Sequence, residues 1–491
     1  MILPGVHSAA EGGSTLDQLF RRAAIRAPDR LALIDPPNRL KFADGAPRQL
    51  TFAQADLAIW RMAAHLRALG LQTDTVIALQ LPNIVENVVA LLGVLRSGMI
   101  PALIPQLWRR MDATPALAAI GAKAIVTTTR LGAHRLDEEA LRSAADLFQI
   151  RHVMAFGESP ADGVSPLDDI FSGAGAPSFL ASDRSGDPAA HAALITFDTT
   201  ADGIIPVARD HHQVVAGGDA VLHAAGLQSG ATLLSTLALS SFSVLSATLT
   251  PWLLCGGALV LHQPFDANTF VQQQKDHPHA LIVTAGALAE RIPDETAVVA
   301  LWHAEEQARS AASPSILDVI SFGETGFMTL PRERTARPRK LPRGPQSAAA
   351  SEASRASNGF LTLRGAMVPT ATFPITATPG VAALQIADDG AIDTRYPCRI
   401  DADHLVVTGA QAGLVRIGGC RFPRHVLDRL PIASGTGGVV VAVPHALLSQ
   451  RLAGSSRHLA PTQNKLAADG YHALIVQAFR PRVHNAAVAA P

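Results

Sequence analysis

A stretch of hydroxyl-bearing and small residues in the first half of the chain has the composition of a phosphate-binding loop. It reads Thr196-Phe197-Asp198-Thr199-Thr200-Ala201-Asp202-Gly203 and directly follows the apolar run 192–195. Hydroxyls and exposed backbone N–H groups can line a concave anion site, and glycine lets the backbone approach an anion closely. Phosphate chemistry is therefore available here, although a threonine-rich loop after a strand is more often a simple turn.

The segments that must position this loop alternate between helix-like and strand-like patterns. Thr51 and Gln54 form a capping box that predicts the start of a helix, and Gly70 is placed to end it. Short β-rich runs recur between such helices, at 76–81, 99–104, 124–127, 152–156, 231–239, 258–261 and 281–284. Strands separated by helices predict right-handed crossovers and mainly parallel, buried sheets, in two α/β subdomains.

Length and pattern also predict a division into two domains. At 491 residues the chain is too long for one compact core. After residue 391 the pattern changes to short strands punctuated by glycine. We predict an N-terminal domain over 1–408 and a small, shortened α+β domain over 409–491. The segment 332–358 has almost no large apolar residue, which predicts a mobile surface loop.

Composition excludes several classes of protein. Lys+Arg and Asp+Glu both number 41, so no net field attracts nucleic acid, and we expect no nucleic-acid partner. Neither a signal-like N-terminus nor a run of about 18 apolar residues is present, so we expect no membrane span and a cytoplasmic location. Three widely separated cysteines argue against a disulfide framework or a CxxC metal site.

The order of four landmark segments resembles that of the adenylate-forming superfamily, which comprises acyl-CoA synthetases, luciferases and peptide-synthetase adenylation domains. Segment 196–203 is similar to the phosphate motif T-[SG]-[SG]-[ST]-T-G-x-P-K-G, but Ala201 replaces a glycine, and the motif's lysine falls on Ile204 or a neighbour such as Pro206. Segment 234–261 resembles the acyl-pocket region, with Phe242 as the one bulky group at its turn. Plain helix–strand packing is the alternative there.

The third and fourth landmarks lie in the second half of the chain. Segment 320–326 resembles Y-G-x-[ST]-E, but Glu324 lies two residues before the position of the motif's glutamate. In segment 394–401 Tyr396 stands where the family has a ribose-binding aspartate, and Ala410 replaces the hinge arginine. Segment 415–419 is similar to I-K-x-x-G-G. Lys465 is the one lysine after the hinge, with a solvated helix lysine as the alternative to a catalytic one.

The resemblance implies an α/β fold with two βαβ-type subdomains, a distorted β subdomain and a small α+β C-terminal domain. It also implies ATP-dependent activation of a carboxylic acid, then transfer to CoA or to the pantetheine of a carrier, with Mg²⁺. Where a carrier supplies the pantetheine, the resemblance implies an acyl carrier protein as a partner. By resemblance, the site residues fall into four groups: nucleotide-binding Thr196, Asp198, Thr199, Thr200, Phe322, Gly323, Thr325, Tyr396 and Arg399; catalytic Thr200, Glu324 and Lys465, with Glu324 also the Mg²⁺ ligand; acyl-pocket Phe242; and Gly409, Gly418 and Gly419 in the hinge and thiol region.

Two other interpretations remain open from the sequence. A non-catalytic relative that binds an acyl group, a nucleotide or a carrier protein is favoured by the loss of the loop lysine, ribose aspartate, hinge arginine and terminal lysine. Arg209, Arg395, Arg399 and Arg416 lie near the vacated positions and could compensate. An α/β protein of unrelated chemistry would have no nucleotide pocket between its domains.

Overall fold

Fourteen α-helices and twenty-six strands lie in the part of the chain that the computed structural model describes, residues 13–173, 186–293, 295–306, 315–332, 339–344, 351–434, 439–445 and 448–479. The helices are α1 Leu16–Arg26, α2 Phe52–Ala68, α3 Val85–Arg96, α4 Arg110–Ala119, α5 Leu136–Ala145, α6 Asp169–Ser172, α7 His211–Ala224, α8 Phe242–Ala247, α9 Leu249–Cys255, α10 Ala267–Asp276, α11 Gly286–Ala289, α12 Arg424–Ser434, α13 Leu459–Ala468 and α14 Ala473–Ala478.

The strands follow in chain order. They are β1 Leu31–Ile34, β2 Gln49–Thr51, β3 Val76–Gln80, β4 Ile100–Leu103, β5 Ala124–Thr128, β6 Arg130–Leu131, β7 His134–Arg135, β8 His152–Phe156, β9 Ser165–Pro166, β10 Ala192–Thr200, β11 Gly203–Asp210, β12 Leu233–Ser235, β13 Leu259–Leu261, β14 Leu281–Ala285, β15 Val298–His303, β16 Ile316–Ser321, β17 Phe327–Pro331, β18 Leu341–Pro342, β19 Glu352–Arg355, β20 Phe360–Arg364, β21 Ile392–Asp401, β22 His404–Val407, β23 Leu414–Ile417, β24 Cys420–Pro423, β25 Val439–His445 and β26 Ser449–Ser455.

Two large sheets, parallel in their interiors, form the main body of the molecule. One has seven strands in the order β11-β10-β4-β3-β5-β8-β9, and the other has eight in the order β17-β16-β15-β14-β12-β13-β1-β2. β3 and β5 are buried along their whole length, as continuous apolar runs in parallel sheets should be. A third sheet of five antiparallel strands, β18-β22-β21-β20-β19, adjoins them. The predicted α/β fold with two βαβ subdomains and a β subdomain is confirmed.

Helix α3 is apolar around most of its circumference, and all its residues except Leu95 are buried. Such a helix must be covered on every side, and α3 packs against α2, α1 and the strands β3 and β4. Its one acid, Glu86, meets Arg39 at 2.7 Å, and Arg39 also meets Asp35 at 2.5 Å. These charges are almost fully buried, so each needs its partner.

The last part of the chain has its own small apolar cluster, which runs from Val415 to Phe479. It combines two hairpins, β23–β24 and β25–β26, with the helices α12, α13 and α14. This is the small α+β arrangement that the sequence predicts. The boundary at 408/409 stays a prediction. No helix of the described residues is long and apolar enough to span a membrane.

Two predictions of local structure are wrong. The predicted strand 231–239 shortens to β12, because the Ser235 hydroxyl accepts a hydrogen bond from the Leu237 N–H at 3.3 Å and turns the chain out of the ladder. The predicted loop 332–358 contains β18 and β19, where the apolar side chains Leu341 and Ala353 are buried. Residues 333–338 and 345–350 of that loop lie outside the described residues.

Candidate functional site

The two predicted phosphate-site segments lie side by side at an edge where three sheets meet. Segment 196–203 comprises the end of β10, a two-residue turn and the first residue of β11, and segment 320–326 continues from the carboxyl end of β16. The antiparallel sheet brings Tyr396 of β21 to the same place, with its ring 5.9 Å from that of Phe322 at an interplanar angle of 81°. Ligands of open α/β sheets bind at the carboxyl ends of strands. This edge is therefore the candidate site.

The threonine-rich segment forms a tight hairpin, which is the simple turn that the sequence offers as the alternative to a phosphate-binding loop. β10 continues to Thr200, which pairs with Gly203 across a turn of two residues, and the Thr200 hydroxyl donates to the Gly203 carbonyl at 3.0 Å. β10 also pairs with β4, and Ile204 at the start of β11 bonds to Gly380 and Ala382. The turn therefore cannot widen into a cradle without breaking the pairs Thr199–Ile204 and Thr200–Gly203.

Gly323 determines how closely the two segments approach. Its φ is +66°, a left-handed conformation that glycine adopts without steric cost. A Cβ atom here would lie 2.4 Å from Asp198 Oδ2 and 2.7 Å from Arg421 Nη1. Asp198 Oδ2 also accepts a hydrogen bond from the Glu324 N–H at 3.3 Å. The Asp198 carboxylate thus occupies the anion position beside the Gly323 backbone.

Glu324, the predicted Mg²⁺ ligand, is turned into the protein. It is 6% exposed, and its Oε2 accepts a hydrogen bond from the Phe242 N–H at 2.9 Å. Burial raises the pKa of Glu324 to about 7, while Arg209 and the adjoining Thr196 side chain act to lower it. The described residues include no group of three or more His, Cys, Asp or Glu side chains that could hold a metal ion. Glu324 therefore does not fit the predicted metal site.

Arg421 of β24 is the cation that reaches the candidate site. Its Nη1 lies 2.6 Å from Asp198 Oδ1, and its Nη2 donates to Tyr396 Oη at 3.3 Å. Burial acts to lower the pKa of Arg421, but Tyr396, Asp198 and Glu305 outweigh it and raise that pKa above the ordinary value. Arg421 is therefore charged, and it closes the hairpin β23–β24 over Phe322 and Tyr396.

Arg416 anchors the same hairpin at a second point. Its Nε lies 2.8 Å from Glu305 Oε1, and its Nη1 lies 2.8 Å from Glu306 Oε1. These two acids follow the carboxyl end of β15. Burial, together with Arg421 and Arg416, lowers the pKa of His303 to about 3, so this ring is neutral at physiological pH. The hairpin therefore covers the carboxyl ends of both β15 and β16.

Phe242, the predicted acyl-pocket residue, is fully buried behind segment 320–326. The Arg209 guanidinium lies 3.6 Å from the centre of its ring, and the Phe327 ring is 5.7 Å away. Arg209 Nη2 donates to the backbone carbonyls of Glu324 and, at 3.1 Å, Thr325. Burial lowers the pKa of Arg209 to about 10, which leaves it charged. Arg209 thus holds the segment 324–325 and does not replace the missing loop lysine.

Other predicted residues do not join this cluster. Arg399 is half-exposed and lies 3.9 Å from Asp401 on its own strand. Lys465 is also half-exposed, and its ammonium group pairs with Asp469 at 3.1 Å across one turn of helix. Gly418 and Gly419 form the turn of the hairpin β23–β24, and Gly409 follows β22. The solvated alternative for Lys465 fits this arrangement better than the catalytic one.

Sequence reasoning missed Arg421. In the hairpin it is paired directly with Arg416 across the two strands, and directly opposed residues of an antiparallel pair share one face. Two arginines on one face of a hairpin that resembles a family landmark would have predicted acidic partners elsewhere in the chain. However, Arg421 and its partner Asp198 are 223 residues apart in the sequence. No local sequence pattern identifies which acid pairs with Arg421.

The arrangement of two parallel-centred sheets, an antiparallel sheet and a small C-terminal unit is that of the adenylate-forming enzymes. The apo structure of MbtA from Mycobacterium smegmatis matches it with a TM-score of 0.64 at 19% identity, over 93% of this chain and 88% of that one. The o-succinylbenzoate CoA synthetase of Bacillus subtilis matches with a TM-score of 0.69 at 15% identity, over 93% and 92%. These similarities establish the fold.

Sequence comparison finds similarity over part of the chain. Residues 20–196 match the AMP-binding enzyme family. The chain is 32% identical over 142 residues to a long-chain-fatty-acid–CoA ligase of Yersinia pestis, over 29% of this chain and 22% of the relative. It is 32% identical over 146 residues to a salicyl-AMP ligase / salicyl-S-ArCP synthetase of Mycobacterium tuberculosis, over 30% and 25%. The matched segments thus span about a quarter of these relatives. The first part of the chain is thus similar to AMP-binding enzymes, and the fold is similar to that of the solved acyl-activating structures.

Proposed function

We propose that this protein activates a carboxylic acid with ATP and passes the acyl group to a thiol. The observation that carries the proposal is the meeting of three of the four family landmarks at one edge: the end of β10, the segment after β16, and Tyr396 of β21. Sequence similarity to a fatty-acid–CoA ligase and a salicyl-AMP ligase supports the same class of reaction.

The reaction has two balanced steps. In the first, a carboxylate oxygen of the acid attacks the α-phosphorus of ATP, the bond to the β-phosphate oxygen breaks, and pyrophosphate leaves. In the second, a thiolate sulfur attacks the acyl carbon and AMP leaves. CoA or a carrier pantetheine would supply the thiol. The protein's share is to position the reactants and to neutralise charge. Location in the cytoplasm remains a prediction from the sequence.

The residues at the edge can hold a nucleotide in two ways. Thr199 is half-buried beside the turn of the hairpin, where its hydroxyl can meet a phosphate oxygen. Phe322 and Tyr396 provide aromatic surface for a nucleoside, but both rings are buried under the hairpin β23–β24. That hairpin must move away before a base can stack there. The family implies Mg²⁺, and because Glu324 does not fit a metal ligand, we assign no residue to the ion.

The decisive experiment is ATP–pyrophosphate exchange with a panel of fatty, aryl and amino acids, together with calorimetric titration of ATP. Exchange that depends on one class of acid would establish both the activity and the substrate class. ATP binding without exchange would instead favour the non-catalytic relative. No ATP binding at millimolar concentration would refute every nucleotide-based function.

A pair of variants tests whether the exchange occurs at this edge. Thr199→Val removes the hydroxyl at constant size, and we expect it to lower the exchange rate about tenfold, since one lost hydrogen bond to a charged group costs about 1.5 kcal/mol or more. Thr362→Val, at a half-buried strand position of the antiparallel sheet, is the matched control and should retain the wild-type rate. Equal effects of the two changes would place the reaction elsewhere.

A further inference from the structure

The ion pair between Asp198 and Arg421 joins two hairpins that are remote in sequence. The atoms Asp198 Oδ1 and Arg421 Nη1 are 2.6 Å apart, and the two side chains are only 14% and 7% exposed. The pair lies directly against the Gly323 backbone, where a methyl group could not fit. Water is therefore largely excluded from an attraction that holds β24 against the end of β10.

The position of Asp198 makes this pair more than a structural link. Asp198 lies between hydroxyl-bearing residues, in a segment whose resemblance is to a phosphate-binding motif, and it places a negative charge where an anion would approach. A phosphate group there would be repelled by the carboxylate and attracted by the guanidinium. A guanidinium binds a carboxylate or a phosphate through the same fork of N–H donors. The carboxylate and a bound phosphate must therefore compete for one side chain.

The other arginines near the edge are held by different partners. Arg209 is fully buried and donates to backbone carbonyls, Arg416 is held by two glutamates, and Arg395 lies 2.7 Å from Asp202 at the exposed tip of the hairpin. Arg421 alone among these contacts the segment from the interior side of the edge. Its second nitrogen, bonded to Tyr396, keeps the fork oriented.

We propose that Arg421 is the residue that binds a phosphate or pyrophosphate group at this edge, and that Asp198 is a built-in competitor that holds Arg421 until such an anion displaces it. This proposal rests on the proposed function only for the source of the anion, which would be the phosphates of ATP or the pyrophosphate released. The competition itself can be measured without any catalytic turnover.

The test is calorimetric titration of the full-length protein with inorganic pyrophosphate, without metal ions and at constant ionic strength. We expect Asp198→Asn to tighten binding roughly tenfold, a typical size for coupling between two linked equilibria. Arg421→Gln should abolish measurable binding. The double variant should also show no measurable binding, because removal of the carboxylate does not restore the guanidinium that binds the anion.

Asp202→Asn is the matched control. It removes a carboxylate from the same hairpin, but Asp202 is 68% exposed and its partner Arg395 is 38% exposed, so solvent and salt screen the pair. We expect less than a twofold change there. A tightening equal to that of Asp198→Asn would show a general charge effect and overturn the competition. So would unchanged binding in Asp198→Asn, tightening that survives in the double variant, or the absence of binding in both the wild type and Asp198→Asn.

Two further measurements keep the result interpretable. Thermal unfolding identifies any variant that does not fold, and Asp198→Ser, which removes the charge with a smaller side chain, replaces Asp198→Asn in that case. Pyrophosphate exchange reports the proposed function separately. Exchange in the wild type without tightening in Asp198→Asn refutes the competitor and leaves the function intact, whereas tightening without exchange refutes the function and leaves the competitor intact.

Discussion

The buried carboxyl group of Glu324 should make the stability of the protein depend on pH. Its pKa rises from 4.5 to about 7 in the folded state, chiefly by burial. Between these values the folded protein retains a proton that the unfolded chain has lost, so the free energy of unfolding falls as the pH rises through this window. At about 1.4 kcal/mol for each pH unit, the loss amounts to about 3 kcal/mol above pH 7.

The substitution Glu324→Gln isolates this contribution. Glutamine is neutral at every pH, and its amide oxygen can still accept the hydrogen bond from the Phe242 N–H. We expect the free energy of unfolding of the variant, relative to wild type, to rise by about 3 kcal/mol between pH 5 and pH 8. Urea denaturation at each pH measures it, and every other titrating group cancels in the difference.

Asp44→Asn is the control of opposite sign. Burial acts to raise the pKa of Asp44, but hydrogen bonds from Thr129 and Arg130 outweigh it and hold that pKa below the ordinary value. Its contribution is therefore present above about pH 4 and lost only in more acidic solution. The difference for Asp44→Asn should be flat from pH 5 to pH 8. A difference for Glu324→Gln that is equally flat would refute the inward, buried placement of Glu324.

Three substitutions test the packing that positions the site. Gly323→Ala should destabilise the fold by about 1 to 3 kcal/mol in urea denaturation, because its φ of +66° and the neighbouring Asp198 carboxylate leave no space for a Cβ atom. Gly326→Ala is the control and should cost less than about 1 kcal/mol, because its Cβ atom would make ordinary contacts from 3.5 Å. Equal costs for the two variants would contradict the close approach of Asp198 to Gly323. Gly218→Ala should cost about 1 to 3 kcal/mol, since its Cβ would lie 2.3 Å from the Thr250 side chain, and an unchanged thermal midpoint would show that α7 and α9 are further apart. Arg39→Met should cost about 3 to 5 kcal/mol in urea denaturation, because the buried Asp35 loses its ion-pair partner and the buried Glu86 keeps only Arg48; a cost below about 1 kcal/mol would indicate that these acids are solvated.

Much of the fold follows from patterns that act over short distances. The capping box at Thr51 and Gln54 is present in the structure, and α2 begins at the next residue. The predicted strand 152–156 coincides with β8, and the predicted strand 281–284 lies within β14. These strands are buried, and only one pairing register places their apolar residues in the core. The apolar pattern in the sequence therefore predicts where each strand lies.

The hairpin at 196–203 shows where local reasoning stops. Its threonines could line a phosphate-binding loop, because hydroxyls can bind phosphate, but β-branched residues also favour strands. Pairing with β4 on one side, and of β11 with residues 380 and 382 on the other, decides between these outcomes. Strand β4 and residues 380 and 382 are remote from this segment in the sequence. The β propensity of the segment alone therefore does not predict that it forms a hairpin.

The charged side chains at the candidate site indicate which residues should be tested for a role in ATP binding. The family's loop lysine, ribose aspartate and hinge arginine are substituted, and three of the four arginines that could compensate are tied to acids on the protein, while Arg209 is tied to backbone carbonyls. Arg421 is tied as well, but its partner Asp198 lies within the phosphate-type segment itself. An acid at that place would repel a nucleotide unless a cation neutralised it. If ATP phosphates bind at this edge as proposed, they meet a competing carboxylate in Asp198 and a guanidinium in Arg421, so opening of this ion pair would precede their binding.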